Sequence, residues 1–496
     1  MDNTHDFPLD IAPLDVVIVG GGINGAGIAS EAANRGLSVG LYEAKDFAMA
    51  TSSASSKLIH GGLRYLEQAE FRLVKEALAE REILLHKAAH IVKPMRFRLP
   101  EQPALRPSWL ICIGLFLYDH LSRRSVLPSS KSITITEDIG LNLNISSAYE
   151  YSDCWVDDAR LVIANVKNAF QVGAEVRNYC EVLQIKREHS LWKIELFDQR
   201  LQKKMVRYSR AIVNATGPWA ASFVNQRTEE QSQYPMALIK GSHIIVPQLC
   251  NGDEAYILQN GDKRVVFVIP YLNNYSMIGT TDIPFDGDPY QVHASEQEID
   301  YLLEVCNQHF RTQLTPSHIV DSFSGVRPLF GDPDIPAQKQ SRDYELVLQT
   351  ESQQVPLVTV YGGKLTTYRK LAEKAIDKLA PFFPDLQPSQ SKDSVFSEAC
   401  GFHHATLVNQ VRSEHPYLSL QSVHRMVNLY GVEIWRILAN MSEQVEPIIG
   451  ELYLSELDYL KNNEWAMTGD DILRRRTKLC YQLTEQERQA IFSWLS

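Results

Sequence analysis

No apolar run in this chain reaches the roughly 18 to 20 residues that a membrane-spanning helix needs. The nearest candidate is Trp109 to Tyr118, whose length fits a core helix or one lying in an interface. Arg106 before it and Arg123 and Arg124 after it tilt the expectation toward a membrane surface. Basic charge is also scarce: 49 Lys and Arg against 60 Asp and Glu leave a net charge of −11, which argues against a general nucleic-acid binder. The seven cysteines are scattered, odd in number and never in C-x-x-C spacing, so neither a disulfide framework nor a zinc site is expected, and no metal site is assigned. That usage fits a reducing compartment. Residues 1 to 14 form a polar, acidic tail without the basic start and apolar stretch of a secretory signal, so export is not expected. Internal repeats and low-complexity tracts are absent. With 44% hydrophobic residues in 496, the chain can bury large cores in two or three domains.

What is present begins at Asp15, where Val16 to Val19 reads as a buried parallel strand running into Gly20, Gly22 and Gly25. Ile28 to Arg35 reads as a helix ending at Gly36, and Leu37 to Tyr42 as a second strand that delivers Glu43. A strand, a glycine turn and a helix form a pyrophosphate site, with the anion on the helix N-terminus. Glu43 is placed to accept the hydroxyls of an adenosine ribose, and an acid rather than an arginine argues against a 2′-phosphate. Two later strands, Ala211 to Gly217 and Pro356 to Tyr361, end in glycine turns and read as pieces of the same sheet.

This discontinuity predicts an α/β architecture: a Rossmann-like dinucleotide-binding domain, an inserted β-rich substrate domain and a small all-α C-terminal domain. The binding domain is assigned to about 15–90, 151–235 and 323–380, and the insert to about 91–150 and 236–322, where His243 to Val246, Val265 to Ile269 and Tyr275 to Ile278 read as strands. The Pro- and Ser-rich stretch 381–394 reads as a linker. Residues 395–496 read as helical, with Val423, Met426, Val427 and Tyr430 on one face, Gly431 as a stop and Arg474 to Arg476 as a solvated helix end.

The stretch Thr51 to Tyr65 supplies hydroxyls (Thr51, Ser52, Ser53), then Lys57, His60, Gly61 and Gly62, then Arg64 and Tyr65. It makes sense as a loop that wraps the pyrophosphate and then runs under a flavin ring. Gly362 to Tyr368 opens an amphipathic helix whose N-terminus can stabilise an anionic flavin edge. Arg327 is placed over the flavin face to hold a substrate oxygen. The cations Arg64, Arg327, Arg342 and Lys364 together point to a phosphorylated or carboxylated substrate.

The strings Ser-Lys57-Leu-Ile-His60-Gly-Gly-Leu-Arg64-Tyr65, Tyr151 to Arg160, Asn214-Ala-Thr-Gly-Pro-Trp219, Lys240-Gly-Ser-His243, Gly279-Thr-Thr-Asp282, Ser324-Gly-Val-Arg327-Pro and Gly362-Gly-Lys364-Leu-Thr-Thr-Tyr368-Arg resemble the FAD-dependent glycerol-3-phosphate dehydrogenase family, its bacterial aerobic respiratory branch most closely. The resemblance covers most of 15 to 380 and, more loosely, Asp470 to Thr477. It implies FAD, sn-glycerol 3-phosphate as donor, dihydroxyacetone phosphate as product, ubiquinone or another quinone as acceptor, and a peripheral place on the anionic inner face of the cytoplasmic membrane. A homodimer is the expected assembly. With the residue reading it implies FAD contacts from Gly20, Gly22, Ile23, Asn24, Gly25, Glu43, Thr51, Ser52, Ser53, Lys57, His60, Gly61, Gly62, Leu63, Gly217, Trp219, Asp282, Gly363, Lys364, Leu365 and Thr366. Substrate contacts are expected from Arg64, Tyr65, Arg327, Arg342 and Lys364, and the base from His243 or His60. The alternatives are a flavin oxidase of the same fold that passes electrons to oxygen, acting on glycerol 3-phosphate or an amino acid, and a non-catalytic FAD-binding interaction protein.

Overall fold

The computed structural model describes residues 12–102, 106–122, 126–136, 139–262, 264–279, 282–331, 343–351, 354–442 and 446–495, without the side chains of Arg64, Gln68, Glu351, Gln354 and 492–495. Arg342, Arg123 and Arg124, and the side chain of Arg64, therefore lie outside the described residues.

Strand β1 (Leu14–Val19), helix α1 (Ile23–Asn34) and β2 (Val39–Tyr42) form the expected opening unit. β1 runs parallel to β2 on one side and to Lys203–Asn214 on the other, with Val17 beside Gly40 and Ile212. Gln354–Gly362 and Glu175–Arg177 extend the parallel set outward, and Tyr344–Glu351 closes one edge antiparallel. Because both faces of this sheet are covered, its strands are continuous apolar runs. One face packs on α1, Asp158–Gln171 and Tyr368–Leu379 through Val16, Ile18, Ala29, Val162 and Leu371; the other holds Val17, Val19, Trp192 and Leu357. The strands Ala211 to Gly217 and Pro356 to Tyr361 read from the sequence thus join β1 in one sheet, with Lys203–Asn214 lying between β1 and Gln354–Gly362.

The second sheet has ten strands, in the order Ile283–Pro284, Met236–Pro247, Tyr275–Gly279, Val265–Tyr271, Ala255–Gln259, Val92–Pro100, Ser147–Val156 and Leu58–Ile59, with Asp321–Phe330 and Lys131–Thr134 paired off this path. Two expected boundaries change. Those at 150/151 and 322/323 cut through Ser147–Val156 and Asp321–Phe330, both strands of the second sheet, and Leu58–Ile59 also crosses over. Strand patterning reports burial and says nothing of which sheet a strand joins.

The C-terminal region is helical, with its own core of Val423, Met426, Val427, Tyr430, Leu457, Leu460 and Ile472. The helix Leu420–Tyr430 ends at Gly431 as expected. The stretch 381–394 is tied to the core: Arg35 Nε donates to the Gln387 carbonyl, and Lys87 Nζ to the Ser394 hydroxyl at 2.7 Å. The arginine triplet is not a solvated helix end. Asp471–Arg476 forms a six-residue π-helical turn in which Arg475 and Arg476 are buried against Asp46, while Arg474 pairs with Asp321. For Arg475 and Arg476 a buried carboxylate far away in sequence replaces solvent, Arg475 also pairs with Asp471 in its own turn, and Arg474 stays partly exposed.

Helix Ser108–His120 has one buried and one exposed apolar side. Ile111, Leu115 and Tyr118 face the core, whereas Trp109 and Phe116 are 64% and 63% exposed. Among the described residues no helix is long and apolar enough to cross a membrane.

Candidate active site

A cavity of about 570 Å³ lies where β1, Lys203–Asn214 and Gln354–Gly362 end, and it reaches into the second sheet. That is where open α/β sheets bind ligands. Its first end is mostly main chain. α1 starts at Gly22 with no side-chain cap, which leaves its N-terminus as an anion site. The approach is close: a Cβ on Gly25 would fall 1.8 Å from the Gly20 carbonyl oxygen. The Ile23 N–H donates to Ser52 Oγ at 2.9 Å, which joins the hydroxyl loop to the helix start. Asn24 Nδ2 donates to the Gly362 carbonyl at 3.1 Å, and its buried Oδ1 has no protein partner.

Glu43 lines the same end and accepts the Gly21 N–H at 2.6 Å on one oxygen and the Lys45 N–H at 2.8 Å on the other. Each oxygen keeps a lone pair. Burial pushes this carboxyl above the usual range against those two N–H bonds. Trp219 stacks on Tyr290 with ring centroids 4.2 Å apart, giving the lining an aromatic wall.

The other end carries side chains. Tyr65, His60, His243, Arg327 and Lys364 all line it, from four separated segments. Lys364 Nζ lies 4.3 Å from the Tyr65 ring centre. Arg327 is ion-paired with Asp282. His243 is 2% exposed, stacks on Phe323 with centroids 4.9 Å apart, and has Nε2 3.1 Å from Ser56 Oγ. Burial, then the charges of Arg327 and Lys57, pull its pKa down to about 3, so the ring is neutral. His60 meets Phe267 edge-on at 6.4 Å.

The model of the FAD dependent oxidoreductase family matches residues 15–369. The chain belongs to the FAD dependent oxidoreductase family. It is 48% identical to the aerobic glycerol-3-phosphate dehydrogenase of Escherichia coli over 97% of each chain, and 42% identical to the D-erythritol 1-phosphate dehydrogenase of Brucella abortus, again over 97% of each. Its fold matches the FAD-complexed glycerol-3-phosphate dehydrogenase structure from Bacillus halodurans with a TM-score of 0.74 at 24% identity, covering 98% of this chain and 95% of that one. As in other members of this family the cofactor is FAD, and the site fits it. The uncapped helix start suits the diphosphate, Glu43 the ribose and the unpartnered Asn24 oxygen a ligand donor.

Several residues expected to contact FAD lie outside the cavity lining. Lys57 is 3% exposed, and its ammonium is held by Asp158 at 2.8 Å and the Ser53 carbonyl at 3.0 Å, outside the cavity lining. Asp282 is also outside the lining and neutralises Arg327 instead. Gly25, Ser53, Gly62 and Leu63 do not line it. Gly20, Gly22, Ile23, Asn24, Glu43, Thr51, Ser52, His60, Gly61, Gly217, Trp219, Gly363, Lys364, Leu365 and Thr366 do line it. The amphipathic helix opened by Gly362 to Tyr368 begins at Tyr368, after a turn closed by the Thr367 N–H donating to the Lys364 carbonyl.

Sequence reasoning missed the support beneath Gly61. The Gly61 N–H donates to Tyr118 Oη at 2.8 Å, the Tyr118 hydroxyl donates to Asp153 at 2.7 Å, and Arg81 Nη1 reaches the same carboxylate at 2.8 Å. Asp153 sits inside the family-like string 151–160, the one signal that pointed there. Ser56 opens another of those strings, and Tyr290 carried no signal.

Proposed function

We propose that this protein oxidises sn-glycerol 3-phosphate to dihydroxyacetone phosphate and passes the electrons to a membrane quinone. The observation that carries this reading is the convergence of Lys364, Arg327 and two histidines at one end of the FAD cavity: cations for a phosphate beside rings that can take a proton. FAD, when bound, supplies the two-electron acceptor for a hydride. Lys364 holds the phosphate. Arg327, with Asp282 fixing its guanidinium, points its charge at the C2 oxygen and stabilises the negative charge that grows there. The C2–H bond breaks with its electron pair leaving as hydride, and the hydroxyl proton goes to a neutral imidazole. His243 or His60 takes that proton in this reading; His243 enters the reaction neutral, with Ser56 beside its Nε2. Glu43 binds the adenosine ribose. Holding donor carbon and acceptor together is itself worth several kcal/mol of barrier, on the order of 7 or more when alignment is good.

The assignment is tested by anaerobic mixing with a panel of donors while flavin absorbance is followed. Bleaching by sn-glycerol 3-phosphate is expected. Bleaching by D-erythritol 1-phosphate alone would reassign the polyol, and bleaching by an amino acid alone would overturn the reading. Reoxidation of the bleached protein by a quinone analogue much faster than by air separates dehydrogenase from oxidase.

The acceptor lies in a bilayer, and the exposed face Trp109, Leu110, Ile113 and Phe116 is the contact proposed for it. Arg106, at the start of that helix, pairs with Glu67 at 2.6 Å, so apolar burial carries more of this attachment than charge does. W109S/F116S protein should fail to float with anionic vesicles while reducing a soluble dye normally. Undiminished flotation would remove this face from the reading.

A further inference from the structure

The family model ends at residue 369, yet a segment a hundred residues beyond it reaches the cofactor loop. Residues 43–50 leave β2 and cross beneath the first end of the cavity, where Glu43, Ala44, Ala48, Met49 and Ala50 line it. The loop is tied to the glycine turn by the Ala48 N–H on the Gly21 carbonyl at 3.0 Å and by Glu43 on the Gly21 N–H. Its other side is gripped from the C-terminal region. Asp46, 1% exposed, accepts Arg475 Nε at 2.5 Å, Arg476 Nη1 at 2.7 Å and Arg476 Nη2 at 2.8 Å. Asn178 Nδ2 bridges Asp46 at 3.1 Å and the Trp465 carbonyl at 2.8 Å. Phe47 meets the Trp465 ring edge-on at 5.8 Å and packs so tightly on Gly21 that a Cβ there would lie 2.4 Å from its ring. The loop is one residue layer thick, with cofactor lining on one side and arginines on the other.

We propose that Asp46, Arg475 and Arg476 are positioning residues of the cofactor site, through which docking of the C-terminal helical region and retention of FAD are thermodynamically linked. Burial alone would raise the Asp46 carboxyl, and Arg476 and Arg475 hold it below the usual range, so the charge is present; Arg475 is shared with Asp471 of its own turn. Removing Arg475 leaves Asp46 on Arg476 alone and Asp471 without its guanidinium, which loosens the grip of the C-terminal region on the loop. A ligand that orders the loop from one side then favours docking on the other, and the coupling is reciprocal. The π-helical turn is what lets two consecutive arginines face the same carboxylate.

The test compares holoenzymes. FAD release, followed by exchange against an excess of a spectrally distinct flavin dinucleotide, should speed up on the order of tenfold or more in R475M, as expected when a buried pair is broken. R475K, which keeps the charge, should fall between R475M and the parent. Hydrogen exchange at 43–48 should rise in step with release while β1 stays protected. R425M is the control: it breaks the Arg425–Glu456 pair within the helical region and touches no residue of 43–48. Parent-like release from R475M with fast exchange at 464–478 would overturn the proposal, and so would equal acceleration in R425M. If R475M does not fold, the graded comparison of R475K with R425M decides by the same two readouts.

Discussion

At the glycine-turn end the cavity wall is built around one local stretch, Gly20 to Glu43, whereas at the other end it is side chains brought from residues 60–65, 243, 327 and 364. The first is specified by what is absent, a Cβ at Gly25 and a cap on α1; the second by charges that only the tertiary fold assembles. A main-chain turn fails all at once when it is filled. A side-chain site can be dissected one function at a time.

The largest effect expected is G25V. Even a methyl group would sit 1.8 Å from the Gly20 oxygen, so the turn must open; the protein should purify colourless, and a normal flavin spectrum would show that the turn is not the diphosphate site. At the other end R327A should slow the limiting rate of flavin reduction by about 10² to 10³, the cost of losing one preorganised donor to a developing oxyanion. Stopped-flow reduction at saturating donor measures it. K364A sharpens the contrast. Its loss should appear mainly as a KM raised about 10- to 100-fold, the size of one charge-assisted contact, with the limiting rate changed far less. Equal losses in kcat from both variants would erase the division of labour between clamp and chemistry.

A smaller effect reports on burial away from the site. His90 is 1% exposed and burial pulls its pKa down to about 3, with Arg160 adding to the shift and Glu398 opposing it. Its folded-state pKa is below the unfolded one, so the unfolded chain binds the proton first and stability is lost as pH falls below about 6.5. At about 1.4 kcal/mol per pH unit the step from pH 6.5 to 5 costs roughly 2 kcal/mol. In H90L that part of the acid sensitivity should vanish, read as the change in urea midpoint between the two pH values. An unchanged acid loss in H90L would place the sensitivity elsewhere.

The same contrast explains what the sequence made legible. The strand, glycine turn, helix and Glu43 follow one another within thirty residues, so local spacing specified them. His60, His243, Arg327 and Lys364 were named because their flanking motifs are distinctive, and the fold does gather them. Lys57 and the arginine triplet were misplaced for one reason: a buried ion pair is decided by a carboxylate 101 or 429 residues away, and local composition makes such a cation look solvated or ligand-bound. Sheet membership failed similarly at Ser147–Val156 and Asp321–Phe330, whose partners are distant strands.

The interleaving of the two sheets has a consequence for how the molecule comes into being. The strand Gln354–Gly362 flanks Lys203–Asn214 in the parallel sheet, and the turn after it supplies Lys364 to Thr367 to the cavity. On a ribosome, roughly three quarters of the chain must therefore emerge before the flavin pocket has all its walls, and the Arg475 grip on its floor arrives later still. Until then the early strands are held without their neighbours. Maturation of the yellow holoprotein is thus a late, largely post-synthetic event, exposed to competition from chaperones and from the cell's supply of free flavin.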